Sequence, residues 1–150
     1  MLQKKIDKLP EWDLSDLYDA PGSVSFNADM EQLKKSVHDF EAEYKKAILI
    51  KDAPIGENVK RLKKSIVSYE KILNSMGKLS GYATLHHVTA TNDPGRTKFY
   101  GDTQVKITEI SNKIIFYELE LNSLSEKVLE KLLSDKALAP YKACLLYTSD

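Results

Sequence analysis

The chain has 150 residues, 42% of them hydrophobic and 29% charged, with 22 Lys+Arg set against 22 Asp+Glu. That apolar content excludes a disordered tail, and the even charge argues against a nucleic-acid binder, which carries a basic excess. The length suits one domain with a core of its own. With only two arginines, Arg61 and Arg96, bidentate phosphate recognition has few candidates, and a single cysteine, Cys144, cannot form an internal disulfide. The N-terminus is charged from Lys4 onward and has no signal-peptide stretch, and no window approaches the ~20 apolar residues of a membrane span. The expected location is the cytoplasm, with no membrane and no nucleic acid as partners.

Residues 1–24 read as an irregular arm. Leu9-Pro10 disfavours helix before the proline, and Ala20-Pro21-Gly22-Ser23 is a turn cluster. Between them Trp12, Leu14, Leu17 and Tyr18 have mixed spacing, which predicts a short turn or extended segment pinned to a surface. From Ser25, a candidate N-cap, the period becomes helical: Phe26, Met30, Leu33, Val37, Phe40, Tyr44 and Ile48 recur in steps of three and four. Glu31/Lys35 and Glu41/Lys45 stand in the favourable order for i,i+4 pairing. Ala53-Pro54-Ile55-Gly56 ends that helix.

A second helix is expected from about Glu57 to Thr91, with a stripe of Val59, Leu62, Ile66, Tyr69, Leu73, Met76, Leu79 and Ala83. Gly77 and Gly81 lie on one side of it, where they either permit close helix approach or mark a bend. Asp93-Pro94 is the sharpest boundary, an N-cap followed by proline at the first helical position. The third helix is expected to run on through Phe99, Thr103, Ile107, Ile110, Ile114, Tyr117 and Leu121, with Glu109/Lys113 in support. Ser125 opens a short helix through Val128, Leu129, Leu132 and Leu133, and Asp135 caps a further turn toward Ala139-Pro140. The fold class is all-α: an elongated bundle of three long antiparallel helices plus short C-terminal helices, with the helical domain spanning 25–143. A third helix of about 28 residues would be roughly 42 Å long, against a radius of gyration near ~15 Å for a compact chain of this size, hence the elongation.

No residues assemble into a recognisable catalytic or metal site. Adjacent His86 and His87 point about 100° apart on a helix, so they cannot serve one metal; a half-buried position beside a solvated one is expected. His38 belongs to no Glu-x-x-His motif. The glycines form no GxGxxG, GxxxxGK[ST] or GxSxG. Asp13, Asp16 and Asp19 have the wrong spacing for a calcium loop and read as a solvated acidic edge or as local capping. Glu118 and Glu120 face different sides of a helix. Lys60, Arg61, Lys63, Lys64, Lys71 and Lys78 make a basic edge, diluted by Glu57 and Glu70, that serves either as a solvated face or as a contact for an anionic partner. Catalytic, cofactor-binding and metal residues are accordingly none.

One series of segments is more specific. Leu9-Pro-Glu-Trp-Asp-Leu-Ser-Asp-Leu-Tyr18 resembles the opening of the oligoendopeptidase F family, relatives of the thimet oligopeptidases. Tyr69-Glu70 with Leu73, Gly77, Leu79 and Gly81-Tyr82-Ala83 is similar to that family's second helix. Thr91-Asn92-Asp93-Pro94 resembles its Asp/Asn-Asp-Pro step, Phe116 to Asn122 its ELELN helix end, and Leu132 to Tyr141 the segment that follows. The resemblance covers residues 9–141 and implies the N-terminal portion of a longer, mostly helical zinc endopeptidase that cleaves oligopeptides in a channel between two lobes. There the HExxH histidines and a later glutamate hold zinc, and the motif glutamate is the general base on the metal-bound water. None of those residues lies in this sequence, so the chain alone is expected to be inactive. Zinc belongs to the full-length parent, and the partners are a missing C-terminal catalytic domain and, through the full enzyme, the oligopeptide substrate. Residues from about Cys144 to Asp150 depart from the family and resemble translated sequencing-adapter read-through, so 144–150 is expected to be a non-native tail. The alternative is a free-standing helical binding or scaffold module. Under the peptidase reading, Trp12 and Ile114 to Leu121 are expected to leave a large apolar surface exposed.

Overall fold

The computed structural model describes residues 13–147. Helix α1 spans Val24–Tyr44, α2 Ile55–Val88, α3 Pro94–Asn112, α4 Ile115–Asn122 and α5 Glu126–Leu133; a 3₁₀ segment Lys136–Tyr141 leads into α6, Lys142–Tyr147. The chain is all-α among the described residues. At 34 residues α2 is about 51 Å long, so the bundle is elongated. It is the central helix and packs against both α1 and α3. Lys64 near its start pairs with Glu43 at the end of α1, and Lys78 near its end pairs with Asp29 at the start of α1, which makes the two antiparallel. Ser80 accepts a bond from Gln104, and Ser65 meets Tyr117, so α3 and α4 run antiparallel to α2 as well.

The α1 stripe is buried at every expected position, from Phe26 to Tyr44 and on to Ile48 in the following turn. Its cap is Ser23 rather than Ser25: the Ser23 hydroxyl accepts from the Phe26 N–H at 3.3 Å and the helix begins at Val24. Gly22, at φ +68°, makes the left-handed turn that delivers Ser23 there. Asp93 caps α3 as expected, accepting from Gly95 and Arg96 N–H at 2.8 and 3.1 Å, and Asp135 accepts from Ala137 N–H at 2.8 Å. Glu41 and Lys45 pair at 2.6 Å, whereas Glu31 takes Lys34 instead of Lys35.

Three expectations are corrected. The second helix runs from Ile55 to Val88, not Glu57 to Thr91, and within it Ile72 is buried while Leu73 is 43% exposed. One stripe does not describe a helix with neighbours on two sides; Ile72 lies in the groove beside Ser36 and Phe40 of α1. Gly77 and Gly81 sit inside an unbroken helix, and a Cβ at either would meet nothing within 4 Å, so neither serves close approach. The third helix is two helices. At Lys113 and Ile114 the backbone bonds shorten to i→i+3, to Ile110 and Ser111 carbonyls, while the Ser111 hydroxyl takes the Thr108 carbonyl.

That break sets Ile114 and Tyr117 into the core and leaves Ile115 and Leu119 50% and 64% exposed. The large apolar surface expected over Ile114 to Leu121 is therefore one turn of α4; other exposed aliphatics, such as Val24, Val88 and Val105, are spread over separate elements. Trp12 lies outside the described residues, as do residues 148–150 of the expected tail. Within α6, Leu145 is buried against the core and Cys144 is exposed. No helix among the described residues is long and apolar enough to cross a membrane.

Candidate functional site

The arm forms a turn at Leu14–Tyr18, with Leu17 and Tyr18 N–H bonded to the Leu14 carbonyl. Tyr18 is the pin. Its ring meets Phe26 and Tyr82 edge-on at 5.1 Å, and its hydroxyl donates to Asp29 Oδ2 at 2.6 Å. Lys78 completes the attachment, 3.0 Å from the same oxygen and 4.5 Å from the Tyr18 ring centroid. Where the arm crosses the end of α2 and the first turn of α3, it borders a cavity of about 220 Å³ that is open to solvent on one side.

Its wall brings together Asp13, Asp19, Tyr82, His86, Thr89 and Arg96, with Leu14 as an apolar side. Arg96 is positioned by its own cap, Asp93, and by donating Nη1 to Thr89 Oγ1 at 2.5 Å and to the His86 carbonyl at 3.3 Å. That carbonyl belongs to the last turn of α2, where a cation also meets the negative helix end. Nε and Nη2 have no partner among the described residues. The His86 ring stacks on Tyr82 and meets Phe99 edge-on, and its nitrogens make no hydrogen bond among the described residues. Burial lowers the His86 pKa below the ordinary 6.5, and the Arg96 charge adds to this against a smaller opposing pull from Asp93. Tyr82 is 2% exposed, and its hydroxyl also lacks a partner among the described residues. Burial raises its pKa, with Arg96 opposing and Asp19 reinforcing, so the hydroxyl lies within electrostatic reach of both charges.

This cavity unites residues that no sequence motif links. Asp13 and Asp19 are exposed, as read, and His86 is half-buried; Tyr82, Thr89 and Arg96 were not singled out as site residues. Three chain segments supply them, and the available signal was the rarity of arginine. His87 corrects an expectation: it is half-buried under Tyr100, stacked at 4.9 Å, with Nδ1 buried and unpartnered, rather than solvated. His38 is exposed on α1. No group of three His, Cys, Asp or Glu among the described residues is placed to hold a metal ion.

The other polar features serve the fold. Glu118 accepts from the Tyr69 hydroxyl at 2.7 Å, while Glu120 accepts the Lys46 N–H, holding a residue at φ +61° in the turn after α1. Of the basic edge, Arg61, Lys64 and Lys78 are engaged within the bundle; Lys60, Lys63 and Lys71 are exposed, with no ion pair among the described residues. Comparison with protein-family models, with curated proteins and with solved structures finds no match for this chain.

Proposed function

We propose that the chain is the N-terminal helical segment of a zinc-dependent oligoendopeptidase, part of the lobe that walls the peptide channel, with zinc and the general base carried by sequence outside it. The observation that carries this reading is the ordered series of family-like segments over residues 9–141. Their packing supports it. Tyr18 of the first segment rests on Tyr82 of the second, and Tyr69 of the second packs at a tilt, 4.7 Å between ring centroids, on Tyr117 of the fourth and bonds Glu118. Leu132 and Leu138 of the last segment are fully buried. Residues that carry the resemblance are thus residues that hold the bundle together.

The deciding experiment is to sequence the gene downstream of the codon for Asp150. An open frame that reaches an HExxH codon series is the expected result; a natural stop directly after Asp150 overturns the reading for this gene product. The exposed, unpaired Lys60, Lys63 and Lys71 favour the second reading, a helical module that docks an anionic partner, and such a stop would leave that reading standing.

A further inference from the structure

We infer that the cavity between the arm and the α2–α3 corner binds a small α-amino acid with an apolar side chain. This goes beyond the peptidase reading and does not depend on it. Three observations carry the assignment. Three side chains of the wall carry polar groups with no hydrogen-bond partner among the described residues: the hydroxyl of Tyr82, a residue only 2% exposed, Nε and Nη2 of Arg96, and the His86 ring nitrogens. A carboxylate is the chemical complement of the Tyr82 hydroxyl and the Arg96 guanidinium. The arm sets Asp13 and Asp19 in the same wall, and their carboxylates suit an ammonium. A ligand with both charges on neighbouring atoms matches this arrangement, whereas a simple anion would face two aspartates.

Size and lining narrow the class. A volume of 220 Å³ falls below the roughly 300–1,000 Å³ of pockets for drug-sized ligands. Leu14 gives the cavity an apolar side, which suits an aliphatic side chain over a charged one.

The test follows the His86 ring resonances by NMR while L-leucine is titrated into the intact chain. A saturable shift with a dissociation constant on the order of 1 mM is expected. N-acetyl-leucine, which lacks the ammonium, and leucinamide, which lacks the carboxylate, should each bind at least about tenfold more weakly. Tyr82→Phe keeps the ring contacts and should weaken leucine about tenfold. Asp19→Asn, an exposed change that leaves the bundle intact, should weaken leucine but not N-acetyl-leucine. Absence of a saturable shift overturns the assignment, and so does equal binding of leucine and N-acetyl-leucine, which would make the cavity a plain anion site.

Discussion

The two arginines stand at opposite ends of the bundle and are used in opposite ways. Arg61, at the start of α2, donates Nε to the Ala47 carbonyl at 2.8 Å and Nη2 to the Glu43 carbonyl at 2.6 Å, and its guanidinium lies 5.0 Å from the Tyr44 ring centroid. It fastens the turn between α1 and α2. Asn58 grips the same turn through both the N–H and the carbonyl of Ile50. Arg96 makes one strong side-chain contact, to Thr89, and leaves part of its fork open to the cavity. The aromatic residues repeat the contrast. At the Arg61 end Phe40, Tyr44, Tyr69, Phe116 and Tyr117 pack on one another, and Ser65 ties Tyr117 down at 2.7 Å. Burial there raises the tyrosine pKa values, that of Tyr44 to about 12, with Glu43 reinforcing the rise. At the Arg96 end Tyr18, Phe26, Tyr82, His86 and Phe99 also touch, but they carry an unpartnered hydroxyl and imidazole beside a cavity. One end is closed, over a Tyr44 hydroxyl that is buried without a partner among the described residues; the other leaves its unpartnered polar groups facing a cavity.

Core truncation at the closed end gives the largest effect. Phe40→Ala removes the ring that touches four other aromatics and should cost about 3–5 kcal/mol in urea unfolding. Phe99→Ala at the open end, where the ring is only half-buried, should cost roughly 2 kcal/mol. Equal losses would erase the contrast. The arginines provide the next test. Arg61→Met strands two carbonyls and should lower stability by about 2 kcal/mol, against about 1 kcal/mol for Arg96→Met. A reversed order in the urea midpoints would show that the open corner is the structural clamp.

Tyr117→Phe should cost about 1 kcal/mol by the same measurement, since Ser65 retains its bond to the Leu62 carbonyl. This interaction shows what sequence reading could reach. The period of α1 was legible because that helix presents a single apolar face, and Asp93 and Asp135 were legible because capping is local chemistry. Tyr117 lay on the expected stripe for the same reason. Ser65 was not legible: a serine among Arg61, Lys63 and Lys64 carries no apolar signal, and only the approach of α4, 52 residues on, gives its hydroxyl a partner. Ile72 in place of Leu73 and the break at Lys113 likewise depend on which neighbours arrive. The cavity is the extreme case, since its donors acquire a common purpose only when the arm folds over α2.

Gly77→Ala probes the open half of α2 from outside. Gly77 is exposed within a helix and an added Cβ meets nothing, so alanine should stabilise by up to about 1 kcal/mol. Thermal unfolding should show a raised midpoint. Destabilisation would mean that α2 bends at Gly77 in solution, and the open end would then owe its cavity to a flexible helix rather than to the arm.

The smallest effect is the one most specific to the open end. In the folded chain His86 holds its proton less tightly than in the unfolded chain, where its pKa is the ordinary 6.5, because burial and Arg96 both oppose the charge. The unfolded state therefore binds more protons as pH falls through that value, and folding stability declines with it. The contribution is fully present above the unfolded pKa and is lost progressively below it, until the folded ring protonates too. Carboxylates such as Asp29 and Glu43, whose pKa values are held below normal by Tyr18 and Lys78 or by Lys64, lose their contributions only at lower pH. Urea midpoints taken at about pH 7.5 and about pH 5.5 isolate the histidine range. His86→Gln should flatten the difference between them. If the difference survives that substitution, the imidazole at the open corner is solvated, and the corner gains no pH sensitivity from a ring held between Tyr82 and Phe99.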